Sequence, residues 1–170
     1  MTGPHPTALI ADDEPLLRDA LQRMLAQTWP ELDVVAQARN GREAIELFED
    51  KRPDVCFLDV HMPGTTGIEA ASHIGRRAHL VFVTAYDQYA VQAFAKGVLD
   101  YLVKPIGFER FLKAVTKARE LHQMRSGMKE NGTSQSFFIK CDRKIEKLAV
   151  SDVIYVEAMA NYVIIHTAQR

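Results

Sequence analysis

The stretch Val55-Cys56-Phe57-Leu58-Asp59-Val60-His61-Met62-Pro63-Gly64 limits what this chain can fold into more than any other. Its apolar run lies between Pro53-Asp54 and Pro63-Gly64 and reads as a short strand buried on both faces. A strand with no polar alternation belongs inside a parallel sheet that helices cover on both sides. The run ends on a carboxylate. In an open α/β sheet, ligands bind beyond the carboxyl ends of the strands. Asp59 therefore stands either where chemistry is expected or as a simple cap for the next loop, and only the other strand ends can decide between these.

Ala8-Leu9-Ile10-Ala11 is a second apolar run, and it stops at Asp12-Asp13-Glu14-Pro15. Acids crowded at a strand end repel and raise one another's pKa, a cost that a metal ion would relieve. Acids and proline equally suit the first turn of a helix, and Pro15 fits as a helix opener. Leu16, Leu17, Leu21, Met24 and Leu25 recur at helical spacing to about Thr28. Val34-Val35-Ala36 is a strand, and a helix follows from Gly41 to about Asp50. Beyond Asp59 come a loop of turn formers, Met62 to Gly67, and a short helix from about Ile68 to Ile74. Leu80-Val81-Phe82-Val83 is a strand ending at Thr84, and Asp87 to Ala95 is helical in pattern. Asp100-Tyr101-Leu102-Val103 is a strand ending at Lys104-Pro105. Phe108, Phe111, Leu112, Val115 and Ala118 mark one face of a helix that ends near His122.

Short strands alternating with helices predict an α/β fold with a five-stranded parallel sheet and helices on both faces. With right-handed crossovers, the flavodoxin-like order 2-1-3-4-5 is the natural arrangement, taken over from known doubly wound folds. It would bring Asp12, Asp13 and Asp59 together and set Thr84 and Lys104 at neighbouring strand ends. Clustered carboxylates suit a hard cation such as Mg²⁺, which takes a few carboxylates, waters and a phosphate. A lysine and a hydroxyl can grip the oxygens of a transferring phosphoryl group. An accessible carboxylate is a competent nucleophile for such a group. The sequence offers no glycine-rich phosphate loop and no defensible Ser/His/Asp or Cys/His arrangement.

With these motifs in place, the chain resembles the receiver domain of two-component response regulators. The matching motifs are Ile10-Ala11-Asp12-Asp13-Glu14-Pro15, Leu58-Asp59-Val60-His61-Met62-Pro63-Gly64, Val83-Thr84-Ala85 and Lys104-Pro105. The resemblance implies that Asp59 is the phosphoacceptor. It implies Mg²⁺ held by Asp13, Asp59 and the backbone carbonyl of His61, with Asp12 acting through water. Thr84 and Lys104 would assist catalysis, with Thr84 and Tyr101 as the switch pair and a cis peptide at Lys104-Pro105. The His61 side chain is read as an exposed modulator rather than a ligand, since Mg²⁺ prefers oxygen. A sensor histidine kinase would be the phosphodonor. No enzymatic activity is expected beyond assisting the chain's own phosphorylation and dephosphorylation. An aspartyl-phosphate hydrolase of the same fold expects an Asp-x-Asp pair, whereas Asp59 is followed by Val60-His61.

Thr84 to Phe94 and Asp100 to Ile106 look like the LytR/AlgR subfamily. Tyr89, Ala93 and Phe94 suit either ordinary helix core or a dimer surface, and a homodimer through the 87–122 face is expected. The receiver is expected over 7–123 and a linker over 124–136, the latter because RSGMKENGTSQS is polar and aperiodic. Alternating, β-branched segments beyond Phe137 read as strands. They resemble the beginning of a LytTR-type DNA-binding domain, incomplete over 137–170. DNA binding is therefore expected only in a form with the complete C-terminal domain. Asn161 is either a turn former or a DNA contact. The alternative is a receiver acting only through protein contacts.

The 170 residues carry 21 Lys+Arg against 22 Asp+Glu, which excludes a strongly basic nucleic-acid binder. Cys56 and Cys141 read as buried thiols rather than a disulfide. With neither a signal-peptide pattern at the N-terminus nor an apolar run of membrane-spanning length, a soluble, cytoplasmic protein with no membrane contact is expected.

Overall fold

The computed structural model describes residues 5–88, 97–130, 136–141, 144–149, 153–158 and 163–167. The chain divides into two compact units, Met1–His122 and Gln123–Arg170. In the first, the elements run β1 (Thr7–Ala11), α1 (Pro15–Thr28), β2 (Asp33–Ala38), α2 (Gly41–Lys51), β3 (Val55–Leu58), α3 (Gly67–Ile74), β4 (His79–Thr84), β5 (Asp100–Val103) and α4 (Phe108–Glu130), the last continuing into the second unit. The strands form one parallel sheet in the order β2-β1-β3-β4-β5. This is the flavodoxin-like arrangement expected from the sequence.

The alternation of side chains across the sheet explains why it needs two helical layers. Leu9, Cys56, Leu58, Leu80 and Phe82 pack on one side with Ala44 and Phe48 of α2 and Ala70 and Ile74 of α3. Ile10, Val55, Phe57, Val81 and Val83 pack on the other with Leu21 and Leu25 of α1 and Phe111 and Val115 of α4. Every residue of β3 is fully buried, so the strand that carries Asp59 has no freedom to slip. Cys56 lies within it as a free thiol, and burial pushes its pKa up. The Cys141 side chain lies outside the described residues.

The loop after β3 is fixed from both ends. Helix α3 opens with a capping box, in which Thr66 and Glu69 satisfy each other's backbone N–H groups. Gly67 N–H donates to the Val60 carbonyl at 2.9 Å. A Cβ on Gly67 would stand 1.8 Å from the Asp59 carbonyl oxygen, and one on Gly41 would stand 2.3 Å from that of Thr65. Both positions need glycine for backbone contact, not for an unusual φ.

Two expectations differ from what is observed or lie outside it. Helix α4 does not end near His122 but runs to Glu130, so a linker beginning at 124 starts inside a helix. The segment is polar, but Gln, Met, Arg, Lys and Glu are good helix formers, and extending a nucleated helix is easy even across Gly127. The helix expected over Asp87–Ala95, with Tyr89, Ala93 and Phe94, lies largely outside the described residues. In the second unit, β6 (Ser136–Cys141) pairs antiparallel with β7 (Lys144–Ala149), and β8 (Val153–Ala158) with β9 (Val163–Thr167). Among the described residues, no helix is long and apolar enough to cross a membrane.

The Gly67 contact is testable. Gly67→Ala should destabilise the chain by about 1–3 kcal/mol, the usual cost of overpacking, because the obstacle is backbone rather than a side chain that can swing away. Urea denaturation measures this, and a loss below about 0.5 kcal/mol, within the usual range for surface substitutions, would contradict the close approach.

Candidate functional site

The carboxyl ends of β1, β3, β4 and β5 bring the sequence-predicted residues to one place. Asp12, Asp13 and Asp59 each offer a carboxylate oxygen, and these oxygens lie within 4.8 Å of one another. Asp12 and Asp59 are buried, and Asp13 is exposed. Lys104 Nζ donates to Asp12 Oδ2 at 2.8 Å and to Asp59 Oδ2 at 3.0 Å. Burial works to lower the Lys104 pKa, but its bonds to Asp12 and Asp59 and their charges outweigh burial and hold it above the ordinary lysine value. Lys104 and Pro105 are joined by a cis peptide, as expected.

Backbone bonds place these groups. Asp59 N–H donates to the Ala11 carbonyl at 2.8 Å, and Lys104 N–H to the Thr84 carbonyl at 2.8 Å. His61 N–H donates to Asp59 Oδ1 at 3.2 Å. The exposed His61 ring lies against Tyr86, with centroids 4.4 Å apart, and is not one of the clustered ligands. Thr84 is fully buried, and its hydroxyl has no hydrogen-bond partner among the described residues.

The trio fits a small divalent ion. The span across an octahedron of Mg–O bonds is about 4.2 Å, close to the 4.8 Å limit that encloses the three oxygens. The set is all oxygen, which is the preference of Mg²⁺ over softer metals.

This geometry, four strand ends carrying Asp-Asp, Asp, Thr and Lys, agrees with the comparisons. The model of the response regulator receiver domain matches residues 8–116. The chain belongs to the response regulator receiver family. Two relatives extend the likeness past the receiver. The sensory transduction protein LytT of Enterococcus faecalis is 35% identical over 87% of this chain and 63% of its own length. The transcriptional regulatory protein BtsR of Salmonella typhi is 35% identical over 95% of this chain and 69% of its own length. A solved structure, the receiver domain of the response regulator AraT from Geobacillus stearothermophilus, matches with a TM-score of 0.63 at 32% identity. That match covers 71% of this chain and 98% of the AraT domain. The chain spans about half to two thirds of the length of several curated relatives it matches.

Around this receiver's site, the partners of Tyr101 and the contacts of two arginines escape the sequence reading. Tyr101 is buried, stacks edge-on against Phe82 and donates its hydroxyl to the Tyr86 carbonyl. The Tyr101 ring is thus turned inward. Arg110 of α4 forks onto the Asp100 carboxylate and also donates to the Tyr101 carbonyl at 3.2 Å. Arg18 of α1 donates to the Asp12 carbonyl. Neither arginine has a spacing that announces a partner, because the fold brings Asp12 to Arg18 and Asp100 with the Tyr101 carbonyl to Arg110. Asn161 lies outside the described residues.

Burial works to raise the Asp100 pKa, but the Arg110 bond, the Tyr101 N–H and the charges of Arg110 and Lys117 outweigh it and hold the carboxyl below the usual range. A depressed carboxylate contributes stability above its unfolded pKa, and that stability is lost as pH falls through the folded pKa. Arg110→Ala should therefore cost about 1–3 kcal/mol near pH 7, as for bonds to charged groups, and progressively less below about pH 4. Urea denaturation across pH checks this, and a cost that grows toward acid pH would contradict it.

Asp13 makes a second test. Its carboxylate adds repulsion to the trio, so Asp13→Ala should leave thermal stability equal or slightly raised without Mg²⁺. The stabilisation that saturating Mg²⁺ gives the wild type, about 2.7 kcal/mol at 100-fold above Kd, should largely vanish. An undiminished Mg²⁺-dependent rise in Tm would remove Asp13 from the metal site.

Proposed function

We propose that this chain is the receiver-bearing part of a two-component response regulator, and that Asp59 accepts a phosphoryl group from the phosphohistidine of a partner histidine kinase. The observation that carries this is the Asp59 carboxylate, gathered with Asp12 and Asp13 at the strand ends and bonded to Lys104. An Asp59 oxygen forms the new O–P bond as the P–N bond of the donor imidazole breaks, and the departing nitrogen keeps the bonding pair and takes a proton from solvent. Lys104 turns to a phosphoryl oxygen, and the Thr84 hydroxyl, buried with no partner among the described residues, donates to another. Asp13, Asp59 and the His61 backbone carbonyl would hold Mg²⁺, with Asp12 acting through water. The ion would offset the charge on the phosphoryl oxygens. The chain has no further catalytic role in this reading.

The consequence is a population shift rather than a new fold. Thr84 drawn toward the phosphoryl group favours the arrangement in which Tyr101 stays turned in against Tyr86. The surface that reads this out is the 87–122 face, where Val103, Phe108 and Leu112 are exposed apolar residues on β5 and α4. A symmetric homodimer through that face is the simplest output. A form with the complete LytTR-type C-terminal domain would then act on transcription, a role supported by the names of the relatives.

A small phosphodonor with Mg²⁺ should phosphorylate one acidic site, Asp59, as read by mass spectrometry of the chain. Asp59→Asn should abolish the modification, because an amide is no nucleophile, and persistence at the same rate would refute the assignment. Beryllofluoride should also raise the sedimenting mass toward that of a dimer. An unchanged mass would argue against dimerisation driven by phosphorylation.

A further inference from the structure

The acidic turn after β1 is held in a way that the reaction chemistry does not itself require. Each polar group of Asp12 has a partner. Its N–H donates to the Ala38 carbonyl at 3.0 Å, its Oδ1 accepts from Glu14 N–H at 2.9 Å, and its Oδ2 accepts from Lys104 at 2.8 Å. Its carbonyl lies past the end of the β1 ladder and accepts from Arg18 Nη1 at 2.7 Å. Arg18 is held in turn. Its Nε lies 3.4 Å from Gln37 Oε1, and Gln37 Nε2 donates to Gln22 Oε1 at 2.6 Å. Gln22 stands one turn along α1 from Arg18, and Gln37 pairs with Ile10 on the edge strand. A small ring of polar contacts thus joins α1, β2 and the end of β1.

We infer that Arg18, steadied by Gln37, is a positioning residue for the Mg²⁺ site: through the Asp12 carbonyl it fixes the turn that aims Asp12 and Asp13 at Asp59. This rests on the reading of the trio as a Mg²⁺ site and adds a residue that the site's own ligands do not include. The guanidinium suits the task because its planar fork reaches two acceptors at once, the Asp12 carbonyl and Gln37, which a lysine ammonium cannot match in geometry. Groups that hydrogen-bond a ligand's own backbone or side chain hold it in place without touching the metal.

The sign of the effect separates positioning from charge. Arg18 brings a positive charge beside the carboxylate trio, and by Coulomb's law alone its removal strengthens divalent-cation binding. Positioning predicts the opposite. The test is calorimetric titration of the full chain with Mg²⁺, together with Tm, for wild type, Arg18→Gln, Arg18→Lys and Gln37→Ala, with Asp13→Ala as the ligand-loss reference. Arg18→Gln and Arg18→Lys should each raise Kd on the order of 10-fold, the usual cost of losing a group that orients a metal ligand, with Tm nearly unchanged. Gln37→Ala should raise it less, in the same direction. Equal or tighter binding by Arg18→Gln overturns the inference, and so does wild-type affinity in Arg18→Lys. If Arg18→Gln does not fold, Gln37→Ala decides, and an unchanged Kd there overturns the inference. A wild type that binds no Mg²⁺ overturns the site itself, a result distinct from a wild type that binds while the variants match it.

Discussion

The contact on which this structure turns is Lys104 Nζ between the buried carboxylates of Asp12 and Asp59. Like charges within 4.8 Å repel by at least about 3 kcal/mol per pair in a partly polar interior, so a trio of acids at the ends of adjacent strands is unfavourable by itself. The two lysine contacts at 2.8 and 3.0 Å offset that repulsion with attraction of the same order. The rest of the first unit keeps these groups from moving apart. Fully buried β3, the ladder to β1 and the backbone bond from Asp59 to Ala11 hold the buried carboxylates of Asp12 and Asp59 side by side. A site built this way holds its charge in tension, and a positive ligand relieves it.

Much of this was legible in the sequence because the relevant signals are local. The apolar runs give the strands, their helical neighbours give the crossovers, and a parallel sheet then forces the strand-end residues Asp12, Asp13, Asp59, Thr84 and Lys104 onto one edge. What was not legible acts through backbone carbonyls. Arg18 on Asp12, Arg110 on Tyr101 and Tyr101 on Tyr86 are each a side chain meeting a main-chain oxygen, and a carbonyl has no residue type to read. Gly67 is a similar case. Its need for glycine arises from the Asp59 backbone, which lies far closer in space than the loop composition suggests.

The C-terminal half of α4 shows a different limit. Its polar, glycine-containing sequence reads as linker because composition alone separates helices from coil poorly once the apolar stripe stops. A helix already nucleated on the core by Phe111, Ala114, Val115 and Ala118 needs no such stripe to continue for a few more turns. The strands beyond it were recognised because β-branched alternation is a stronger signal than its absence. Each of the two sheets there is a pair of strands, and such a pair is marginal in water unless something covers its apolar face.

The way β4 and β5 are tied together decides how a change at Asp59 can travel. Phe82 pairs with Tyr101 and Thr84 with Val103, and Lys104 N–H is bonded to the Thr84 carbonyl. With register fixed at every one of these positions, neither strand can slide, so the Thr84 and Lys104 backbones cannot carry a signal. What is left is the Thr84 hydroxyl, buried with no hydrogen-bond partner among the described residues, and the exposed residues 85–88 that follow it. A buried hydroxyl that gains an acceptor recovers about 1–3 kcal/mol, enough to change the ratio of two loop arrangements roughly 5- to 150-fold. The Tyr86 carbonyl lies in that loop and accepts from Tyr101, while the Tyr86 ring lies against His61 on the other side. One short segment therefore touches both the His61 ring in the loop that follows Asp59 and the Tyr101 hydroxyl of β5.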